Sequence, residues 1–164
     1  MALTQVRGSG ISNMVISDAG IITKPLQPAF LVHPASQQSN ISINTDVTVV
    51  FGTEVFDQNS DFASNTFTAP VTGKYQFNVF FRLAQVDTAA DYIQINLVTS
   101  NRTLELAIFD PDGLDSDPTY WQVSAGVLTD MDASDTASIQ IRQVAGTAQL
   151  DIQVETSFSG YLVA

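Results

Sequence analysis

The segment spanning residues 65–83, NTFTAPVTGKYQFNVFFRL, constrains the fold more than any other stretch of this chain. It predicts a short strand over residues 66–69, a tight turn over residues 70–74, and then a long strand. In the long strand, large apolar residues recur at every second position and share one face of a half-buried strand: Tyr75, Phe77, Val79, Phe81 and Leu83. Burying such side chains contributes roughly 1.5–3 kcal/mol each before conformational entropy is counted. The segment therefore predicts the strand around which the core forms.

Phe80 interrupts the other face of this strand, which is otherwise polar through Gln76, Asn78 and Arg82. A large aromatic side chain on the outer face of a sheet needs a cover. The cover is either another subunit or a part of the same chain, such as a loop or an N-terminal hairpin. The residues alone leave both alternatives open.

Composition narrows the class of protein. Apolar residues make up 45% of the 164 residues, which is typical of a globular chain, and no apolar run is long enough for a membrane helix. The net charge of −11 leaves no basic stripe for nucleic acid. Fourteen of the 17 acidic residues are Asp, which favours turns over helices. The chain has no cysteine and begins MALTQVRGSG, without an apolar signal core, so we expect assembly in a reducing cytoplasm.

The remainder of the chain predicts strands and turns without a helix. Residues 57–65 are interpreted as a polar loop, and residues 41–43 as a brief extended piece. About ten strands in total predict an all-β, antiparallel sandwich of two sheets or a barrel. Alternating apolar residues place strands near residues 29–32, 47–51, 93–97, 104–108, 121–127, 137–141, 150–154 and 158–163.

Residues 1–26 differ from the rest and are assigned to an arm, with residues 27–164 as the main domain. A turn at residues 17–20 between two apolar groups predicts a small hairpin, and two prolines in residues 24–28 predict a stiff linker. A lone hairpin is marginal in water, so its apolar side chains need a partner surface. The candidates for attachment or trimer contact are Met14, Val15, Ile16, Ile21 and Ile22.

Two motifs resemble the complement C1q globular head, a member of the tumour-necrosis-factor-like jelly-roll superfamily. The first is Phe67 followed after five residues by Gly73-Lys74-Tyr75-Gln76-Phe77, and the second is the C-terminal SFSGYL of residues 157–162. The family pattern also expects an aromatic and an acidic or amide residue before Phe67. Ser60 and Val55 occupy those places here, with Phe62 and Asp57 nearby. The resemblance covers residues 28–164 and implies an antiparallel jelly-roll sandwich.

The resemblance also implies a homotrimer in which one sheet faces the three-fold axis. The positions of that sheet that point away from the core then become candidates for the trimer interface, and Phe80 gains its cover. These candidates are Phe80, Arg82, Gln122, Ser124 and Tyr161.

Chemistry has few candidates in this chain. His33 is the only histidine, so it is the only candidate for the general base of a catalytic site that pairs a nucleophile with a histidine. We interpret it instead as a loop or interface histidine, and we expect that the protein is not an enzyme. Residues 110–117 contain four carboxylates and a glycine, and carboxylate oxygens suit calcium. The candidate calcium ligands are Asp110, Asp112 and Asp115, against the alternative that these are solvated turn residues.

The leader GSGISNMVISDAGIITKPLQPAF is similar in style to short modules that precede such heads in tailed-phage virion proteins. This similarity implies a trimeric virion structural protein, assembled in the host bacterial cytoplasm and located on the virion surface. Capsid decoration, with the major capsid protein or another virion protein as partner, is the leading prediction. The alternative is a short head or tail appendage, such as a fibre tip, that recognises a host-surface glycan or receptor.

Overall fold

The computed structural model describes residues 15–16 and 19–164, and within these ranges the regular structure is entirely β. No helix in this part of the chain is long and apolar enough to cross a membrane. The strands are β1 (Val15–Ile16), β2 (Ile22–Thr23), β3 (Ala29–His33), β4 (Val47–Thr48), β5 (Thr53–Gln58), β6 (Phe62–Ala63), β7 (Thr66–Thr68), β8 (Gly73–Ala84), β9 (Ala90–Thr99), β10 (Thr103–Phe109), β11 (Tyr120–Met131), β12 (Thr136–Ala145), β13 (Asp151–Ile152) and β14 (Ser157–Leu162).

Two antiparallel six-stranded sheets pack face to face, which confirms the predicted jelly-roll sandwich. Sheet I has the order β11-β8-β14-β3-β5, with β13 also pairing with β8. Sheet II has the order β10-β9-β12-β7-β6, with β4 also pairing with β12. Strands β1 and β2 form a separate antiparallel hairpin, so the predicted N-terminal hairpin is present.

Strand β8 lies at the centre of sheet I, as the alternation in the sequence predicts. Its five inward side chains, from Tyr75 to Leu83, are each at most 3% exposed. Phe30 stacks on Phe67 with ring centroids 5.0 Å apart, and its ring meets the edge of Phe158 at the same distance. Such aromatic contacts add about 0.5–1.5 kcal/mol beyond the area that they bury. The core is therefore a cluster of aromatic rings held between the two sheets.

The region before Phe67 shows how the chain departs from the family pattern. Phe62 is 4% exposed and pairs across the β6–β7 hairpin with Phe67. The Asp57 carboxylate accepts the backbone N–H groups of Asp61 (3.1 Å) and Phe62 (2.9 Å). Phe62 and Asp57 therefore have structural roles beside Phe67, whereas Ser60 and Val55 stand at the spacing that the family pattern expects.

The sequence predicts a loop over residues 57–65, and that prediction is wrong at residues 57–58 and 62–63, which are strand. β5 extends to Gln58, and β6 and β7 form a tight hairpin whose turn residues Ser64 and Asn65 have φ values of 51° and 66°. β5 escaped prediction because Val55 and Phe56 are consecutive and therefore break the alternation. Both are exposed, at 57% and 47%, since β5 is an edge strand whose pairing with β3 is irregular at this point.

Two predicted strands are shorter than expected. The strand predicted over residues 47–51 is limited to the two residues of β4. Val49 and Phe51 nevertheless point inward and are 0% and 7% exposed. The strand at residues 150–154 narrows to β13, and Val154 is 45% exposed. The chain turns there, because the Thr156 N–H donates to the Gln153 carbonyl at 3.0 Å.

Candidate interaction face

The outer face of sheet I brings together the five residues predicted for a trimer interface. Phe80 is half-buried and has Ser124 of β11 on one side and Ser157 of β14 on the other. Both neighbours are small, so nothing of comparable size in the adjacent strands flanks the ring. The face therefore presents an aromatic side chain between two hydroxyl groups.

Arg82 is held in place at one end of this face. Its Nη1 donates to Glu155 Oε1 at 2.5 Å, and its guanidinium carbon lies 4.4 Å from the centroid of the Tyr120 ring. Gln122 is its exposed register partner on β11. An arginine that is paired with a carboxylate and stacked on an aromatic ring loses less freedom when a partner binds.

Tyr161 extends the face at its other end and is 47% exposed. The preceding residue, Gly160, points inward, where an added Cβ would lie 2.6 Å from Phe77 Cδ1 and 2.7 Å from Phe30 Cε1. The glycine lets the aromatic core approach β14 closely, and the alternation of the strand then turns Tyr161 outward.

Sequence reasoning did not single out several apolar residues on or beside this face. Leu128 and Tyr120 on β11 are 53% and 54% exposed, and Phe56 on β5 is 47% exposed. Leu128 could have been found, because it is out of phase with the inward series from Trp121 to Val127. Phe56 could not, because β5 itself carries no alternation.

The edge formed by β10 and β11 is the second incompletely covered surface. The rings of Phe109 and Trp121 stack across it, with centroids 5.5 Å apart and planes inclined by 17°. The inward residues of both edge strands pack against the core but remain half-buried, including Leu104, Leu106, Val123 and Val127. Interior residues of the central strands are fully buried, so this edge is where the sandwich lacks a cover.

The residues of the arm that are predicted to make the attachment lie beside the outer face of sheet I. Val15, Ile21 and Ile22 are 52%, 61% and 58% exposed, whereas only the backbone of Ile16 is described and Met14 lies outside the described residues. Their role in attachment stays a prediction.

The loop with the candidate calcium ligands is anchored to Thr88 and Gln149 by hydrogen bonds to its last aspartate, Asp117. Asp117 Oδ1 accepts hydrogen bonds from the Thr88 N–H (2.9 Å) and hydroxyl (2.7 Å), and Oδ2 accepts one from Gln149 Nε2 (2.9 Å). The bonds from Thr88 hold the pKa of Asp117 below its ordinary value.

Asp110, Asp112 and Asp115 are exposed. Among residues 15–16 and 19–164, no group of three acidic, histidine or cysteine side chains is arranged to hold a metal ion. Calcium binding by this loop stays a prediction. Calorimetric titration of calcium into chelator-treated protein tests it.

His33 has a structural role. Its Nδ1–H donates to the Thr156 carbonyl at 2.9 Å and so fastens the end of β3 to the segment before β14. The ring is half-buried at the edge of the core. His33 is the last residue of β3 and pairs with Thr53 of β5, so the interpretation of His33 as a loop histidine is wrong.

The C1q domain family model matches residues 29–163 of this chain. The solved structure of the globular domain of zebrafish complement 1qA protein is 20% identical and has a TM-score of 0.61, covering 84% of this chain and 98% of that one. Murine APRIL at pH 8.5 is 10% identical with a TM-score of 0.58, covering 84% and 99% of the two chains. No curated protein sequence matches.

Domains of the C1q and TNF-like type are non-enzymatic binding or structural domains, and they commonly form trimers. The family model covers residues 29–163, which is most of the chain. The chain therefore belongs to the C1q domain family.

Proposed function

We propose that this protein is a non-enzymatic homotrimeric head whose three subunits meet through the outer face of sheet I. The observation that carries the proposal is a set of apolar side chains that point outward from this face: the half-buried Phe80, and the exposed Leu128 and Tyr161 in the row of Gln76 towards one end. Large apolar side chains on the outer face of a sheet are typical of protein–protein contact.

The incompletely covered β10–β11 edge supplies the complementary surface. When a face on one subunit meets an edge on the next, the contact is heterologous, and it closes into a ring if the rotation between subunits allows it. Three subunits arranged in this way would cover both the outer face of sheet I and the half-buried side chains of β10 and β11.

Light scattering of the purified protein tests the assembly. We expect a mass three times that of the 17.7 kDa chain, and we expect Phe80→Asp to give the mass of one chain. The matched control is Val50→Asp, since Val50 is 50% exposed in the segment after β4, which pairs with β12 and so lies across sheet II from the β10 edge. A Phe80→Asp variant that stayed trimeric would contradict the proposed interface.

We propose further that the trimer is a structural protein of a virus particle, assembled in a bacterial cytoplasm and placed on the particle surface as a capsid decoration protein. The support is the similarity of the leader to short modules of tailed-phage virion proteins, together with the exposed Val15 and Ile22 of the hairpin. In this role the arm lays its apolar hairpin on the major capsid protein or another virion protein.

Co-sedimentation with undecorated particles tests the decoration role. We expect the full chain to bind in many copies, and we expect a variant lacking residues 1–26 to remain trimeric but to stay in the supernatant. A truncated trimer that still decorates particles would contradict the role of the arm. Binding of the isolated trimer to host cells, with few copies at one site of the particle, would instead favour recognition of a surface glycan or receptor.

A further inference from the structure

A cleft of about 290 Å³ lies where the N-terminal arm joins the outer face of sheet I. Strand residues form one side, and residues of the arm and its linker form the other. The lining residues are Ile22, Lys24, Gln27, Pro28, Ala29, Gln58 and Tyr161.

Three side-chain amides fix the linker that walls this cleft. Gln27 Nε2 donates to the Leu162 carbonyl (2.6 Å), Gln58 Nε2 donates to the Pro25 carbonyl (3.0 Å), and Asn59 Nδ2 donates to the Leu26 carbonyl (3.2 Å). These bonds join the linker to β5 and β14. The cleft is therefore formed before any partner binds, which reduces the entropy lost on binding.

The register of sheet I places Leu128 level with this cleft. Leu128 pairs with Gln76, Gln76 pairs with Tyr161, and Tyr161 pairs with Ala29, so all four lie in one row across the strands. In the proposed trimer, the outer face of sheet I of one subunit meets the β10–β11 edge of the next, and that edge runs parallel to the strands. The rotation axis of the trimer is therefore close to the strand direction. Rotation about that axis keeps each residue at its height, so the row of one subunit meets the same row of the next.

We propose that Leu128 of one copy packs into the Tyr161 cleft of a second copy, with Asp130 of the first facing Lys24 of the second. This inference rests on the proposed trimer and adds the arm to a subunit contact formed mainly by the outer face of sheet I, so we expect a chain lacking residues 1–26 to associate more weakly but still as a trimer. Leu128 lies on edge strand β11 and is 53% exposed. Asp130 follows on the same face, and its side chain is 69% exposed even though it pairs with Arg102.

Charge complementarity favours a second copy as the occupant. Lys24 is exposed and pairs with no carboxylate among residues 15–16 and 19–164. It is one of only six cationic residues in a chain of net charge −11. The positive charge of Lys24 at the cleft is therefore complementary to the negative charge of Asp130, which follows Leu128 near the end of β11.

Disulfide cross-linking tests the contact cleanly, because the chain has no cysteine of its own. We expect the double variant Leu128→Cys, Tyr161→Cys to form covalent trimers under mild oxidation, seen as a reducible band on a denaturing gel. Within one subunit these positions are two strands apart, about 9.6 Å, beyond the roughly 7 Å that a disulfide spans. A cross-link must therefore join two copies.

The matched control is Ser124→Cys with Tyr161→Cys. Ser124 is exposed on the same face of β11 but about 13 Å further along the strand, so we expect no cross-linked trimer. If light scattering shows a trimer and neither pair cross-links, the contact is wrong and the trimer stands. If the unmodified protein is a monomer, both proposals fail.

Charge reversal gives an independent measurement that does not remove Leu128 or Tyr161. We expect Lys24→Asp or Asp130→Lys alone to weaken subunit association by about two- to fivefold per contact, the range typical of exposed ion pairs. Combining both changes should recover the association of the unmodified protein. Additive losses in the double variant would overturn the pairing of Lys24 with Asp130.

Discussion

The two outer faces of the sandwich have the same architecture and opposite chemistry. On sheet II the side chains are mainly amides and charges that bind one another, as where Gln94 Nε2 donates to Glu105 at 2.6 Å and Arg142 contacts Asp46 at 3.4 Å. On sheet I, Phe80 lies between two serines and Tyr161 lies between Gln76 and Ala29, so neither ring has an aromatic register partner in the adjacent strands. A face of side chains that bind one another is suited to water, although Asn96 Oδ1 and Arg142 Nε have no partner among the described residues of sheet II, whereas rings on an outer face are suited to another protein surface.

The largest expected effect comes from comparing two phenylalanines of β8, Phe77 in the core and Phe80 on the outer face. Phe77→Ala removes a ring that is 1% exposed, and we expect the free energy of unfolding to fall by about 3–5 kcal/mol. Phe80→Ala should change the stability of the isolated subunit by less than about 1 kcal/mol and should abolish the trimer. Urea unfolding combined with light scattering measures both. Equal losses of stability would mean that Phe80 belongs to the core.

Two glycines extend the comparison between the core and the outer face of sheet I. Gly160→Ala places a methyl group 2.6 Å from Phe77 Cδ1 in the core, and we expect a loss of about 1–3 kcal/mol because the rings cannot move aside. Gly126→Ala on the outer face meets Asn78 Oδ1 at 2.6 Å and Gln76 Nε2 at 3.1 Å, the ends of side chains that can rotate away, and the Phe77 carbonyl oxygen at 3.2 Å. Thermal melts should show a clear decrease for Gly160→Ala and a smaller one for Gly126→Ala. The opposite order would show that the outer face is the more rigid of the two.

Two arginines test whether the faces differ in function as well as in composition. Arg82→Ala on sheet I removes the Glu155 pair and the Tyr120 contact, and we expect weaker trimer association together with about 0.5–1 kcal/mol of lost stability. Arg142→Ala on sheet II should leave association unchanged, since its only carboxylate partner in the described residues is Asp46 at 3.4 Å. Concentration-dependent sedimentation of the two variants makes the comparison. A loss of association in Arg142→Ala would assign the interface to both faces.

The smallest expected effect concerns the loop between β10 and β11, which joins the edges of the two sheets. The pKa of Asp117 is lowered by hydrogen bonds from Thr88, so its contribution to stability is present above its ordinary value near 3.8. That contribution is lost as the pH falls through the lower pKa of the folded protein. We expect the Thr88 amide to exchange faster with solvent in acid, relative to the intrinsic rate, and Asp117→Asn to remove this pH dependence. Hydrogen exchange followed by NMR provides the measurement.

Prediction from sequence succeeded where one residue pattern had one physical interpretation. The alternation from Tyr75 to Leu83 is compatible only with a strand buried on one face, and Phe80 is outward in that same register. Prediction failed where neighbouring apolar residues faced solvent, as at Val55 and Phe56 in β5. It also failed where two-residue strands such as β6 owe their existence to a turn and to the Asp57 carboxylate. β5 depends on pairing with β3, which is distant in sequence, and β6 depends on a tight turn and a carboxylate; apolar periodicity encodes neither kind of contact.

The candidate face was predictable residue by residue but not as a surface. Phe80, Ser124 and Tyr161 could be identified as outward positions of three strands, whereas their adjacency depends on β8 lying between β11 and β14. The cleft at the arm was not predictable, because it depends on amide hydrogen bonds between Gln58, Asn59 and linker carbonyls.

The sequence by itself determined the fold class, the central strand and its two faces, because side-chain alternation is a local property of an extended chain. The tertiary structure decided which strands neighbour one another, and thereby placed Phe80 between two serines, Leu128 in the same row as Tyr161, and the arm beside the outer face of sheet I. The physical reason is that strand order and register are set by the packing of the whole core. A surface made of several strands exists only after that packing is complete.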